Sequence, residues 1–563
     1  MGLALTMAPA KRLVVIGGGI GGLVAALDCA SVGIDVTVVE SRPQLGGAVA
    51  SAEIAGLTVD VGAESFATRG GSVAELLDEL GLADQVVRPN PAGAWLHIAL
   101  PGEKPRTHPL PKAGILGIPS NPLADDVRQI IGSKGAVRAY LDRVRPVLTI
   151  GQEENFGALV RKRMGAAVHD LLVAPVTSGV YSAMPDDLDV ERAAPGLNAA
   201  MTRTGALSLA VADLRESAPA GAAVGGLRGG MTVLVNTLAD ALLAKGSTLV
   251  TGVAVTGLSR VPFDIDADGE GVPEGDVGLP PMGERGAGAA GAAAGAAGTA
   301  GAASSTGGPA WYIALTDGRI LEADLVLVAT PETFTRNLLA DASPELAVLA
   351  ADDEHGVQGR VGAGGAGGAA ADAAGADTAA DGLPDADLAP SPTPAPVELV
   401  TIVIDEPALD AAPRGSGLLV VPGSQLHAKA LTHATAKWSW LAEQAGPHRH
   451  VVRVSFGRQG EANATGGLDD DELLTIALAD ASAMLGVELR RESVVGFNRV
   501  SWTGTQPTAA RGQRERANAV RALVDEVPDL AVTGGWLAGT GLASVVPDAR
   551  VAAKRIRHAA LTL

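Results

Sequence analysis

The sequence predicts an α/β protein in which one nucleotide-type domain, assembled from both ends of the chain, carries an inserted β-sheet domain and a helical domain. Three observations predict it. A short apolar strand, a glycine turn, an alanine-rich helix and a second strand follow one another over residues 12–40. β-Branched alternation dominates residues 397–456. A last strand, a second set of glycines and a helix close the chain. Strand–helix alternation at both ends of a β-rich middle fits a discontinuous domain with a second domain inserted in it.

The opening unit reads as βαβ. Arg12 to Ile16 is an apolar strand, Gly17 to Gly22 a glycine turn, Leu23 to Ser31 a helix and Val36 to Glu40 a second strand. The turn, Gly17, Gly18, Gly19, Ile20, Gly21 and Gly22, fits G-x-G-x-x-G between a strand and a helix. In that Rossmann-like pattern the first glycine makes the turn, the second lets the backbone approach a pyrophosphate, and the third packs helix on strand. The helix N-terminus offers free N–H groups and a positive dipole end to the phosphates. Glu40 ends the second strand, where a carboxylate accepts both ribose hydroxyls of an adenosine. Cys29 falls on the apolar face of the helix and is expected to be a small core residue.

Further along, Asp125 to Val168 shows helical spacing. The segments 400–404, 418–421 and 451–456 read as strands, as does 531–533, with a final helix from about Ser544. The expected division is a nucleotide domain of 1–90, 222–261, 310–350 and 525–563, a β-rich domain of 91–115 and 397–524, and a helical domain of 116–221. Segments 262–309 and 356–396 are rich in Ala, Gly and Pro and too poor in large apolar side chains to repay ordering entropy. They are expected to be disordered insertions.

Composition excludes some classes. The 563 residues carry 43 Lys and Arg against 63 Asp and Glu, a net charge of −20. Nonspecific nucleic-acid binding needs the opposite surplus. One cysteine excludes an internal disulfide and a Cys-cluster metal site, and suits a reducing cytoplasm. The N-terminus does not read as a signal peptide. The mean hydropathy of +0.24 reflects alanine rather than a membrane span. Oligomeric state and peripheral membrane contact stay open. The scattered histidines, His448 and His450 included, lack partners at metal-ligand spacing, so no metal is expected. His427 and His433 are expected at the surface, Trp438 and Trp440 as alternating strand residues in the core or a pocket wall, and Asp469 to Glu472 as a helix N-terminal turn.

Three features favour FAD over NAD. The second strand runs into Ser41-Arg42 and a second glycine turn at Gly46-Gly47. A third turn follows a strand at Gly62-Ala63-Glu64-Ser65. Near the C-terminus, Gly539 to Asp548 leads into a helix whose N-terminus can sit on a flavin pyrimidine.

Together these residues resemble the bacterial, Gram-positive type of protoporphyrinogen/coproporphyrinogen III oxidase. The likeness extends to Gly62-Ala-Glu-Ser-Phe-Ala-Thr-Arg69, His108-Pro-Leu-Pro-Lys112, Leu172-Val-Ala-Pro-Val-Thr-Ser-Gly-Val-Tyr-Ser182, Ser416-Gly-Leu-Leu-Val-Val-Pro422, Lys429-Ala-Leu-Thr432 and Lys437-Trp438. It implies an amine-oxidase-like flavoprotein with non-covalent FAD, a porphyrinogen substrate and oxygen as acceptor. Carried over by motif, the FAD contacts are Gly17 to Gly22, Glu40, Ser41, Arg42, Gly46, Gly47, Gly62, Ala63, Glu64, Ser65, Val255, Trp502, Gly539, Ala543, Ser544, Val545 and Val546. Arg69 matches the family's substrate-facing arginine. Lys429 is a second candidate for a substrate propionate, its alternative being a solvated strand-edge lysine. The chain departs from the family in 502–513, which lacks a tyrosine after Pro507 and has Gln513 where a histidine is usual. It departs again at Ala543-Ser544, where Gly-Val is common.

The resemblance implies a six-electron oxidation in three two-electron rounds, with no strong general base. It favours coproporphyrinogen III as substrate. The alternatives are protoporphyrinogen IX, an amine oxidase or carotenoid desaturase on the same flavin domain, and a non-catalytic porphyrin carrier.

Overall fold

Five apolar segments form the central parallel sheet, in the spatial order Thr248–Thr251, Asp35–Glu40, Arg12–Ile16, Leu325–Val328 and Leu530–Val532. The structure, a computed structural model, describes residues 10–145, 153–216, 224–262, 310–349, 397–458, 464–502 and 510–562. The expected insertions lie outside them, Pro262 apart. Parallel strands are covered on both faces and so read as unbroken apolar runs, which is why 12–16 and 325–328 show no alternation. Successive residues nonetheless serve opposite faces. Leu13, Val15, Leu325 and Leu327 join one core, with the helices Ile20–Ala30, Thr232–Ala244 and Leu542–Thr562. Val14, Ile16, Val326 and Val328 join the other, beneath the antiparallel meander Val255–Ser259, Trp311–Leu315 and Ile320–Ala323.

The β-rich region is one seven-stranded sheet. Its order is Val494–Trp502, Val397–Asp405, Arg449–Phe456, Ala430–His433, Gly417–Val420, Ala94–Ile98 and Arg106–Pro109. Helix Asp470–Leu485 packs on it through Leu473, Leu474, Ala477 and Ala481. That helix begins in a capping box, Asp469 receiving the Glu472 N–H at 2.8 Å and Glu472 receiving that of Asp469 at 3.1 Å. The helices Asp125–Tyr140, Phe156–Met164, Ala174–Tyr181, Leu197–Thr204 and Leu207–Glu216 share a core that includes Leu96 and Ile98 of the seven-stranded sheet.

Several elements differ from the sequence reading. The first helix starts at Ile20, so Gly21 and Gly22 belong to it rather than to the turn. Trp438 and Trp440 are not strand residues. Trp438 links the short helices Ala434–Lys437 and Ser439–Ala445, and Trp440 lies in the second. Both bury their rings, and Trp438 fills the space left by Gly226, where a Cβ would stand 2.7 Å from the indole. His433 is fully buried rather than at the surface, edge-on to His450, and burial, with help from His450, pushes it down to about 3. Helix Gln513–Asp525, expected with the sheet domain, packs through Ala517, Val520 and Val524 beneath the parallel sheet. Cys29 is buried in the first helix, as its position suggests, and burial pushes its thiol up to about 12.

The helical region is locked by a buried charge. Asp142 is fully buried; it accepts the Arg163 Nε–H and, at 3.0 Å, the Ser208 N–H. Arg163 also donates to the carbonyls of Asp142 and Gly205. Removing one side of a buried pair strands the other charge, at a cost of about 3–5 kcal/mol. Asp142→Ala is therefore expected to lower the unfolding free energy by about that amount in urea titration; an unchanged midpoint would contradict this account.

Candidate active site

The first glycine turn is built by contacts that tolerate no side chain. Gly17 has φ +108°, and a Cβ there would stand 2.6 Å from the Ala329 carbonyl oxygen. At Gly22 a Cβ would stand 2.0 Å from the Gly17 carbonyl oxygen, so this glycine sets how closely the helix approaches the strand. Around Gly19 the nearest atom to a built Cβ is Gly47 Cα at 3.9 Å. The turn there presents bare backbone at the start of an 11-residue helix, the arrangement that receives phosphate. The second turn sits directly on the first: the Gly46 N–H donates to Gly18 O at 2.8 Å, and Gly19 pairs with Gly46.

Glu40 is buried at the end of its strand. One carboxylate oxygen accepts the Gly18 N–H at 2.8 Å; the other accepts the Arg42 N–H at 2.9 Å and the Ser41 hydroxyl at 3.3 Å. A carboxylate has about four acceptor positions, so the arrangement fixes the side chain and leaves capacity for a ribose hydroxyl. The chain leading to Val255 passes the same point, with Gly252 N–H on Arg42 O and Val253 N–H on Glu40 O. Val255 itself is buried in the meander. Trp502 donates its indole N–H to Val61 O at 3.2 Å, and the Arg42 guanidinium stands 5.0 Å over its ring.

The third turn is anchored from the seven-stranded sheet. The Gly62 carbonyl accepts from Arg453 at 2.8 Å, and the Ala63 N–H donates to Ala48 O at 2.8 Å. Glu64 pairs with Lys437 at 2.5 Å and Arg453 at 3.2 Å. Burial alone would raise its carboxyl; Arg453 and Lys437 outweigh burial and hold it below the usual carboxylate range. Glu64 is thus tied to protein cations and clamps the loop to the sheet. Nothing in the sequence reading singled out Arg453, although a charge amid Val451-Val452-Arg453-Val454 was a visible signal.

The chain ends close the site. Gly21 approaches Val545 of the last helix, a built Cβ standing 3.3 Å from its side chain. Ser544 and Val545 form that helix's first turn, on Gly541 O, and the Ala543 carbonyl accepts from Ser72. Val546 is buried among the core residues shared with the first helix. Gln513 starts its helix and donates to Trp536 O at 3.1 Å. Residues 503–509, including Pro507, lie outside the described chain.

Beside the Gly539–Ser544 turn opens a cleft of about 610 Å³ lined by Arg69, Tyr181, Arg192 and Arg514, within the size range of small-molecule sites. Arg69 is exposed there. Lys429 does not line it. It is 1% exposed, neither solvated nor at the rim, and its ammonium donates to Ser182 Oγ at 2.5 Å. Among the described residues no group of three or more His, Cys, Asp and Glu could hold a metal, and no helix is long and apolar enough to cross a membrane.

The flavin containing amine oxidoreductase family matches residues 20–277. The coproporphyrinogen III oxidase of Mycobacterium tuberculosis is 27% identical over 539 residues, 94% of each chain. That of Bacillus subtilis is 21% identical over 96% of this chain and 97% of its own. Among solved structures, a putative protoporphyrinogen oxidase from Exiguobacterium superposes with TM-score 0.70 at 22% identity, over 99% of this chain and all of its own. Reduced UDP-galactopyranose mutase gives 0.58 at 13% identity, over 98% of this chain and 96% of its own.

Asp60, beside this loop, gives a pH dependence. It accepts the Met231 N–H at 3.0 Å, yet burial above all, with Glu64 adding to it, raises its carboxyl to about 6 from an ordinary 3.8. The native state therefore holds this proton more tightly than the unfolded chain. The stabilisation is complete below pH 3.8 and lost as pH rises through about 6. At about 1.4 kcal/mol per pH unit the loss is about 3 kcal/mol. Asp60→Asn, which keeps an acceptor, is expected to flatten this slope in urea titrations between pH 4 and 6.5; an unchanged slope would remove Asp60 as its source.

Proposed function

We propose that this chain, a flavoprotein of the amine-oxidase-like superfamily, oxidises coproporphyrinogen III to coproporphyrin III in haem biosynthesis, with FAD as cofactor and oxygen as acceptor. The observation that carries the reading is end-to-end similarity to proteins named coproporphyrinogen III oxidase, over 94% of both chains in the mycobacterial case. The likeness to the mutase bears on the fold alone. The single cysteine suits a reducing cytoplasm.

The residues present fit FAD. The Gly17–Gly22 backbone and helix N-terminus suit its pyrophosphate, with Arg42 alongside, and Glu40 suits a ribose. Gly46, Gly47, the Gly62–Ser65 loop, Trp502 and the Gly539–Val546 segment would line its remaining length. When bound, FAD supplies two-electron acceptance, needed three times for the six electrons of the reaction. The chain's own work is to hold the macrocycle against the cofactor and keep water away. Arg69 offers a planar fork for a substrate carboxylate. Loss of the bridging hydrogens is driven by the aromaticity gained, so positioning carries more of the rate than a strong base.

Anaerobic mixing of the yellow protein with coproporphyrinogen III is expected to bleach the flavin absorbance as porphyrin fluorescence rises. Faster bleaching by protoporphyrinogen IX would favour that substrate, in keeping with the Exiguobacterium neighbour's name. Bleaching by amines alone, or porphyrin binding without bleaching, would overturn the reading.

Arg69→Ala is expected to raise KM about 10-fold, the worth of one charge-assisted hydrogen bond, with bound flavin unchanged. Unaltered steady-state kinetics would exclude Arg69 from substrate binding.

A further inference from the structure

The cleft beside Gly539–Ser544 concentrates cations in a chain of net charge −20. Four arginines line it. Arg521 is neutralised by Asp548 at 2.5 Å. Arg69, Arg192 and Arg514 have no carboxylate within 4.0 Å among the described residues. Arg192 Nη1 is also buried without a hydrogen-bond partner. A buried donor left unsatisfied costs about 1–3 kcal/mol, more when charged, so this atom needs an acceptor that the described residues do not provide.

The fold holds these groups in place. Asp189 caps the short helix Val190–Ala193, accepting the Arg192 N–H at 2.9 Å. The Tyr181 hydroxyl donates to Ala193 O at 3.2 Å, on the residue after Arg192. The Arg514 segment is stitched to the same region by the Leu188–Ala510 bridge and the Arg511 N–H on Asp187 O. Gln513 and Arg516 on either side are pinned, Gln513 to Trp536 O and Arg516 to Glu332 at 2.8 Å. Arg192 and Arg514 thus reach one cleft from separate, fixed elements.

We propose that Arg192 and Arg514 form, with Arg69, a carboxylate clamp that selects a tetrapyrrole with four carboxylates over one with two. This rests on the porphyrinogen reading above. An anion in this cleft has two sources on that reading, substrate carboxylates or cofactor phosphate. The bare-backbone turn at Gly17–Gly19 already provides for phosphate, so the clamp is assigned to carboxylates. Arg514 is exposed, so replacing it leaves the core intact.

The test compares wild type with Arg514→Ala, Arg192→Ala and Arg192→Lys. Steady-state kinetics use coproporphyrinogen III and protoporphyrinogen IX, and fluorescence titrations use the flavin-loaded protein with coproporphyrin III and protoporphyrin IX. Each alanine variant is expected to raise KM and Kd for the four-carboxylate compound about 10-fold, and for the two-carboxylate one less than about 3-fold. Flavin content and kcat should change little, and Arg192→Lys should recover part of the loss. Equal effects on both compounds, or none, would overturn the clamp; so would loss of flavin, which would assign the arginines to the phosphates. If wild type oxidises neither porphyrinogen, the functional reading has failed, and the porphyrin titrations alone decide the clamp.

Discussion

The pairing of Arg12–Ile16 with Leu325–Val328, and of that strand with Leu530–Val532, is the constraint on which the rest of the architecture depends. It brings three distant segments into one buried parallel sheet and lays the last helix against the first. Each segment alone is an apolar run of three to five residues with no stable isolated form. Once the sheet is closed, the Gly17–Gly22 turn and the Gly539–Ser544 turn are forced to the same side. Gly21, against Val545 and Thr533, sets how near they come. A Cβ at that position would press on the Val545 side chain at 3.3 Å, which would have to give by a few tenths of an ångström.

A second constraint ties the Gly62–Ser65 loop to the seven-stranded sheet. Glu64 bears on Arg453 of the seven-stranded sheet and on Lys437 of the helix beside it. A buried ion pair adds little net stability, because desolvation offsets most of its Coulomb energy. Its directional bonds do fix geometry: Arg453 also holds Gly62 O, so the loop cannot slide over the sheet without breaking both contacts. The cluster is therefore better understood as setting the position of the Gly62–Ser65 loop on the seven-stranded sheet than as a source of stability.

What was legible in the sequence follows from what is encoded locally. Glycine turns, apolar runs and the Asp469 cap act through a few neighbouring residues, and their places were readable. The start of the first helix was misplaced because Gly21 and Gly22 are poor helix formers in isolation; packing against Gly17 and Ala329 overrides that preference. His433 was misread as a surface residue, and Trp438 and Trp440, read correctly as core residues, were wrongly placed in a strand, because their surroundings come from strands remote in sequence. Alternation over a few residues cannot separate a strand from a short buried helix. Lys429 is the same case: in sequence it is a strand-edge cation, and only the approach of Ser182 shows it to be buried. Arg192 and Arg514 carry no motif at all. Their relation is created by the Leu188–Ala510 bridge between segments more than 300 residues apart.

The two features proposed to receive anions are built differently, and the difference matches the role proposed for each. The first glycine turn uses backbone N–H groups and a helix dipole, fixed in place and without rotamer entropy to lose. Such a surface suits a ligand that stays through every catalytic round. The arginine cleft uses long side chains, all of them partly or wholly exposed, whose ordering costs about 0.5–1.5 kcal/mol each on binding and whose charge is screened by salt. That cost weakens retention, which favours release of product. The surplus of positive charge in an otherwise acidic protein makes the cleft a local minimum for anions and raises their rate of arrival. On the proposed function, a tightly held cofactor beside a loosely held polycarboxylate is the combination that repeated oxidation with turnover would require.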